Sequence, residues 1–349
     1  MRPTAMPDLS PSTFPHAHGQ PRLRGRLRTA PEDFQVREEL SFSPDGHGEH
    51  VWLWVRKRGA NTDWVARRLA EWAGVSASAV SYAGLKDRHA VTEQWFSVHL
   101  PGRSEPDWTN VADPDFNVLI ARRHSRKLRR GTLAGNAFRI VIRELDGDLD
   151  ELATRLQLIA ATGVPNYFGE QRFGREGGNL ARAEAMLRGE EPVRDRHRRG
   201  LYLSAARSAL FNAVLARRVT EQTWNQPLPG EVLMLAGTHS IFTVTELDDV
   251  LWRRVAEFDL HPTGPLWGAG ELLSRGPARE LEEAMATTLP VFRDGLALAG
   301  LKQERRSLRL IVQDATLESP DACTAVLHVR LPAGAYATTV LRELIQPLD

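Results

Sequence analysis

Lys86, Asp87, Arg88 and His89 are four consecutive ionisable residues inside SYAGLKDRHAVTEQWFSV, residues 81–98. Val80 and Tyr82 alternate ahead of them as a strand does, Gly84 breaks the pattern, and Trp95, Phe96 and Val98 resume it. A turn between two strands is served by one Gly and one Asp; it has no need of a cluster of charges. A carboxylate held between cations stays ionised, because opposite charge lowers its pKa. That is the state a nucleophile or general base requires. A charged hairpin loop has the same composition, so the tetrapeptide by itself leaves both readings open.

The flanking residues narrow the choice. AGLKDRHAVTEQW (83–95) resembles the AG-x-KD-x-x-A-x-T-x-Q motif of the tRNA pseudouridine synthase D (TruD) family. Further blocks match in the same order: PEDFQVRE (31–38), RKLRRGTLAGNAF (126–138), GVPNYFGEQRFG (163–174), LSAARSALFN (203–212) and LPAGAYATTVLREL (331–344). Together they cover most of the chain from about Leu27 onward, a far more specific signal than one short motif. The resemblance implies a cofactor-free isomerase that converts uridine, at position 13 of the dihydrouridine arm, to pseudouridine. Transfer RNA is the partner it implies. No membrane association and no obligate protein partner are evident.

Such a reaction detaches a uracil from its ribose, turns it and rejoins it through carbon. The target base must leave its stack, lie against an aromatic face and meet one carboxylate. No redox step and no metal Lewis acid is needed. By resemblance Asp87 is the catalytic carboxylate. Attack on the ring, attack on the sugar and removal of a sugar proton all remain open to it. Lys86 and Arg28 are candidates for keeping it charged. Arg28 stands where family members often carry Lys, which keeps the sign but changes the geometry of the fork.

Tyr336, in GAYAT, matches the family's aromatic platform; a core tyrosine at a helix start is the other reading. LPAG precedes that helix, so the amides of Ala333–Ala335 point where an anion binds. Phe34 resembles a second substrate-contacting aromatic, with core packing as the alternative. Asn136 and Phe138 share one strand face by period two. By resemblance Asn136 contacts the nucleotide, and an amide suits the imide edge of uracil; a turn Asn after Gly135 is the rival. Asn166 and Arg172, with the aromatics and glycines around them, read as phosphate and base contacts or as a Gly-rich loop.

At 349 residues the chain exceeds one typical core, so two domains are expected. A net charge of +1 announces no nucleic-acid binding, yet RRHSRKLRR (122–130) and RDRHRRG (194–200) concentrate cations locally. They would line a cleft between domains that clamps folded RNA. Cys323 is the single cysteine, so no disulfide framework or thiolate metal site exists, and its apolar neighbours predict burial. His16, His18, His47 and His50 lack a third ligand nearby and read as surface histidines. The chain has no apolar run of about 18 residues and no signal core, which predicts a cytoplasmic protein.

The elements that must position these groups follow from periodicity. Residues 1–21 read as a mobile tail. Leu23–Arg28, Phe34–Glu38 and Val51–Val55 alternate as strands. Thr62 caps a helix facing the core through Val65, Leu69 and Trp72 and ended by Gly74. Ala137–Leu145 is another strand, and Asp148 opens a helix stopped by Gly163 and Pro165. Helices follow at 180–188, 203–221, 248–258 and 278–289, with a strand pair near 232–245. Strands return at 309–312 and 325–331 before a closing helix at 337–345. The fold class is α+β: strand-rich ends around a helical block suggest one sheet domain interrupted by an insertion. The TruD resemblance implies a mixed-sheet catalytic domain of pseudouridine-synthase type (22–162 plus 306–349) and an inserted α/β TRUD domain (163–305). A non-catalytic RNA-binding or RNA-folding protein, and a base-excising glycosylase, are the rival functions.

Overall fold

The alternating stretches of the first half become strands: β1 (Arg24–Leu27), β2 (Phe34–Leu40), β3 (His50–Arg58), β4 (Val80–Tyr82), β5 (Val91–His99), β6 (Phe116–His124) and β7 (Leu133–Asp146). Helices α1 (Thr62–Trp72) and α2 (Leu149–Thr162) lie among and after them. The computed structural model describes residues 13–111, 113–174 and 177–348. The chain divides into two units. One comprises Pro21–Gln157, Val312–Ala337 and Leu344–Asp349; the other comprises Leu158–Ile311 and Thr338–Glu343 with the N-terminal residues through Gln20.

The second unit contains β8 (Val164–Pro165), α3 (Gly178–Leu187), α4 (Arg196–Thr220), β9 (Val232–Leu235), β10 (Ile241–Thr243), α5 (Asp249–Ala256), β11 (Leu260–Leu266), α6 (Gly276–Thr287), α7 (Pro290–Leu298), β12 (Glu304–Ser307) and β13 (Arg309–Leu310). The chain closes with β14 (Gln313–Asp321), β15 (Thr324–Pro332), α8 (Ala337–Leu344) and β16 (Gln346–Pro347).

The first unit is built on one mixed sheet in the order β14-β15-β7-β2-β5-β3-β6, with β1 on β7, β16 on β1 and β4 on β5. Pairings β2·β5 and β1·β16 are parallel and the others antiparallel. A parallel neighbour requires a crossover, and β3, α1 and β4 intervene between β2 and β5. Val51, Leu53 and Val55 of β3 bury one sheet face against Val65, Ala66 and Leu69 of α1, with Phe96 and Val98 of β5 beside them. This packing holds the loops at the C-terminal ends of β3 and β4 in place.

Several expectations change in three dimensions. Thr62 is the first helical residue and Asn61 the cap. The Thr62 hydroxyl turns inward, donating to Gln94 Oε1 at 3.0 Å. Trp72 is 44% exposed, so the core stripe of α1 stops at Ala70. Cys323 is exposed rather than buried, because it sits in the turn joining β14 to β15. Strand β14 and helix α7 carry no clear periodic signal in the sequence, and β11, with two prolines in LHPTGPL, has the composition of a loop.

In the second unit α4 runs from Arg196, so its first turn carries the second basic cluster, capped by Asp195. Of the tail expected over 1–21, residues 1–12 lie outside the described residues. Phe14 is buried and stacks on Tyr167 with centroids 5.0 Å apart. His16 lies 3.6 Å from buried Glu343, and His18 Nε2 meets the Gly163 carbonyl at 3.0 Å. These two histidines are thus tied into the fold rather than lying on the surface. Among the described residues no helix is long and apolar enough to cross a membrane.

Candidate active site

The charged turn between β4 and β5 is fixed from three sides. Thr62 Oγ1 accepts the Lys86 amide at 3.1 Å, and Gln94 Nε2 donates to the Gly84 carbonyl at 3.4 Å. Lys57 Nζ donates to the Asp87 carbonyl at 3.0 Å. Within the turn Asp87 Oδ1 accepts the His89 amide at 3.0 Å, an Asx arrangement that orients the carboxylate. Its other oxygen, Oδ2, lies 2.8 Å from Arg28 Nη1. A fifth of the Asp87 side chain stays accessible, enough to meet a ligand.

Arg28 follows β1 in the left-handed region, φ +58, a conformation that costs a non-glycine residue about a kcal/mol or more. It turns the chain so that the guanidinium covers the Phe34 ring at 4.3 Å and reaches Asp87. Phe34 is edge-on to Phe138, 6.1 Å between centroids at 70°. Register explains the meeting: in the β2·β7 ladder Val36 pairs with Phe138 and Phe34 with Ile140, so both rings lie on one face.

Two residues further along the same face, Glu38 pairs with Asn136. Lys86 Nζ reaches into this pair, 2.9 Å from Glu38 Oε1 and 2.8 Å from Asn136 Oδ1. The ammonium of Lys86 is therefore committed to Glu38 and Asn136, and Arg28 is the side chain that pairs with Asp87. Glu38 is buried, and its second oxygen accepts the Trp95 amide at 2.8 Å. Burial raises its carboxyl above the ordinary value, against the pull of Lys86. Because Oδ1 of Asn136 accepts from Lys86, the Nδ2 amine is the group left to donate toward a carbonyl. Asn136 lies in the strand, not in a turn after Gly135.

Tyr336 is half-buried just past β15, whose Leu331 pairs with Asn136. The turn before it is closed by Ala335 donating to the Pro332 carbonyl at 3.2 Å, so that amide is not free for an anion. Asn166 and Arg172 belong to the other unit. Asn166 is buried with its amide engaged at both ends, donating to the Ser307 carbonyl at 2.9 Å and accepting from Arg306 at 2.6 Å. Arg172 donates to Ser204 Oγ at 2.9 Å and lies 5.3 Å over Phe168. The aromatics Tyr167, Phe168 and Phe173 are core residues. Asn212 explains the SALFN block, accepting the Phe168 amide and donating to its carbonyl, each at 2.9 Å.

A groove of about 790 Å³ lies in the first unit, bordered by Gln35, Arg37, Arg56, Glu93 and Arg139. These alternate with Phe34, Val36 and Glu38, which puts the groove on the face opposite Asp87. Arg56 is already paired with Glu93 at 2.6 Å and Arg58 with Glu32 at 2.5 Å. The Asp87 turn therefore lies outside this groove.

The structure adds two residues around the turn, Glu38 and Lys57. Glu38 stood inside the PEDFQVRE block with no role attached. Lys57 had a visible signal: it occupies the apolar face of β3 in the series Val51, Leu53, Val55, Lys57.

A family model described as tRNA pseudouridine synthase D (TruD) matches residues 13–192 and 192–344. The chain belongs to the TruD family. Curated relatives named tRNA pseudouridine synthase D include one from Nitrosococcus oceani, 52% identical over 93% of this chain and 92% of the relative. Another, from Methylococcus capsulatus, is 49% identical over 95% of this chain and 94% of the relative. The crystal structure of a putative tRNA pseudouridine synthase D from Methanosarcina mazei superposes with a TM-score of 0.75 at 22% identity, covering 98% of each chain. At that identity the superposition speaks for the fold, which is the α+β TruD arrangement. The Asp87 turn and the Arg28, Phe34, Asn136 and Phe138 face are thus features of a TruD-family chain.

Proposed function

We propose that this TruD-family chain is a tRNA pseudouridine synthase, an isomerase acting on uridine-13 of the dihydrouridine arm with Asp87 as the reacting carboxylate. The observation that supports it most is the Arg28–Asp87 pair on the charged turn, 2.8 Å apart and still partly accessible. In the reaction the N1–C1′ bond breaks and a C5–C1′ bond forms; C5 loses a proton and N1 gains one. The change is redox-neutral and mass-neutral, so it calls for no electron carrier. Arg28 and the Asx turn keep the Asp87 carboxylate aimed. Tyr336 supplies a stacking face for the flipped uracil. Asn136 donates from Nδ2 to a uracil carbonyl, with Phe34 and Phe138 as the apolar wall behind it. The strand-rich residues 22–162 and 306–349 form the catalytic domain in this reading, and 163–305 the inserted TRUD domain, with Asn166 and Arg172 at its start.

Carbodiimide mapping of a transfer-RNA transcript treated with the pure protein tests the proposal. A new adduct at position 13 is expected, on RNA whose mass before carbodiimide treatment is unchanged. Release of free uracil would mean a glycosylase, and tight binding with no adduct at any uridine would mean an RNA-binding protein without turnover.

A further inference from the structure

Lys57 is fully buried at the end of β3, on the face that otherwise carries Val51, Leu53 and Val55. Its Nζ donates to the Ala60 carbonyl at 2.8 Å and the Asp87 carbonyl at 3.0 Å. Ala60 lies in the loop entering α1 and Asp87 in the turn between β4 and β5, so one ammonium ties two loops together. A methionine would fill the same volume without the cost of burying a charge. The charged groups facing it are Asp87 and Lys86 from the turn and Glu38 from β2. Of the side chains that hold the turn's main chain, Thr62 and Gln94 are neutral.

We propose that Lys57 is a positioning residue for the reaction at Asp87: its ammonium fixes the Asp87 main chain so that the carboxylate meets Arg28 and the substrate together. The inference rests on the reading of Asp87 as the reacting group. Burial lowers the Lys57 pKa to about 8, so the full charge-assisted hold is present below that pH and weakens above it, where a neutral amine is left to donate. Arginine at 57 stays charged throughout the accessible range, and methionine never carries the charge.

The test is the single-turnover rate at saturating transfer RNA from about pH 6.5 to about pH 9.5. Wild type should show an alkaline decline centred near pH 8. Lys57→Arg should move that decline upward. Lys57→Met should be slower by up to about a hundredfold, with no decline in this window and with transfer-RNA affinity unchanged. The inference is overturned by a wild-type rate flat through this range, by a decline that stays put in Lys57→Arg, or by a fast Lys57→Met. The wild-type and arginine profiles decide the matter even where the methionine variant fails to fold. Asp87→Asn separates the two levels. If it turns over, the reading of Asp87 fails; if it is dead while the Lys57 profiles are unmoved, only the role of Lys57 fails.

Discussion

Arg28 Nη1 sits 2.8 Å from Asp87 Oδ2, across a contact that joins residues far apart in sequence and requires a left-handed backbone at Arg28. A charge-assisted hydrogen bond of this kind contributes about 1.5–3 kcal/mol. Arg28→Met should therefore slow single-turnover conversion roughly tenfold to a hundredfold. Arg28→Lys keeps the charge and should lose much less, since the forfeited parts are the fork and the contact over Phe34. Equal losses in the two variants would show that charge on Arg28 is not what matters.

Asp87→Asn preserves shape and removes the charge. Turnover should vanish, while transfer-RNA affinity measured by filter binding stays near wild type. A comparable rate of pseudouridine formation in this variant would sink the assignment of the carboxylate.

Arg122, Arg126 and Arg129 of the basic run are exposed, whereas Arg123 is already paired with Glu105 at 3.1 Å. Neutralising Arg126 and Arg129 should lower the slope of log affinity against log salt by about 0.7–0.9 for each lost phosphate contact. Neutralising Arg123 should change it less. The chemical step at saturating RNA should barely respond. An unchanged slope would leave the run as a solvated face.

Tyr336→Phe keeps an aromatic face and should retain most activity, whereas Tyr336→Leu should lose a stack of about 1–3 kcal/mol. Single-turnover rates on one transcript compare them. Equal and severe losses would make the hydroxyl, not the ring, the working group.

A stability prediction concerns the second unit. Arg305 and Glu282 are both buried and meet through two bonds, of 2.7 and 3.0 Å. Glu282→Ala leaves the guanidinium buried without its counter-charge, which should cost about 3–5 kcal/mol in the denaturant-unfolding transition of that unit. A cost below about 1 kcal/mol would mean that Thr263 and water satisfy Arg305 unaided.

Local order was legible in the sequence. Alternation around Val51–Val55, Phe34–Glu38 and Ala137–Leu145 marked strands, because period two reports which face is buried without reference to the partner. The Lys86–Asp87 turn was visible for the same reason: charge clustered where a strand pattern breaks. The six blocks also carried the family. What only the tertiary structure decided was which side chain meets which. Pairing of Glu38 with Asn136 is a matter of register between strands nearly a hundred residues apart, and register cannot be read from either strand alone. Once it is set, Lys86 is drawn to Glu38 and Asn136, and Arg28 is left as the partner of Asp87. Asn166 is a buried amide engaged at both ends, because Ser307 and Arg306 arrive from β12, about 140 residues further along the chain. In the sequence Lys57 is only a lysine continuing the apolar face of β3. Only the arrival of the turn over it gave a buried ammonium two carbonyls to hold.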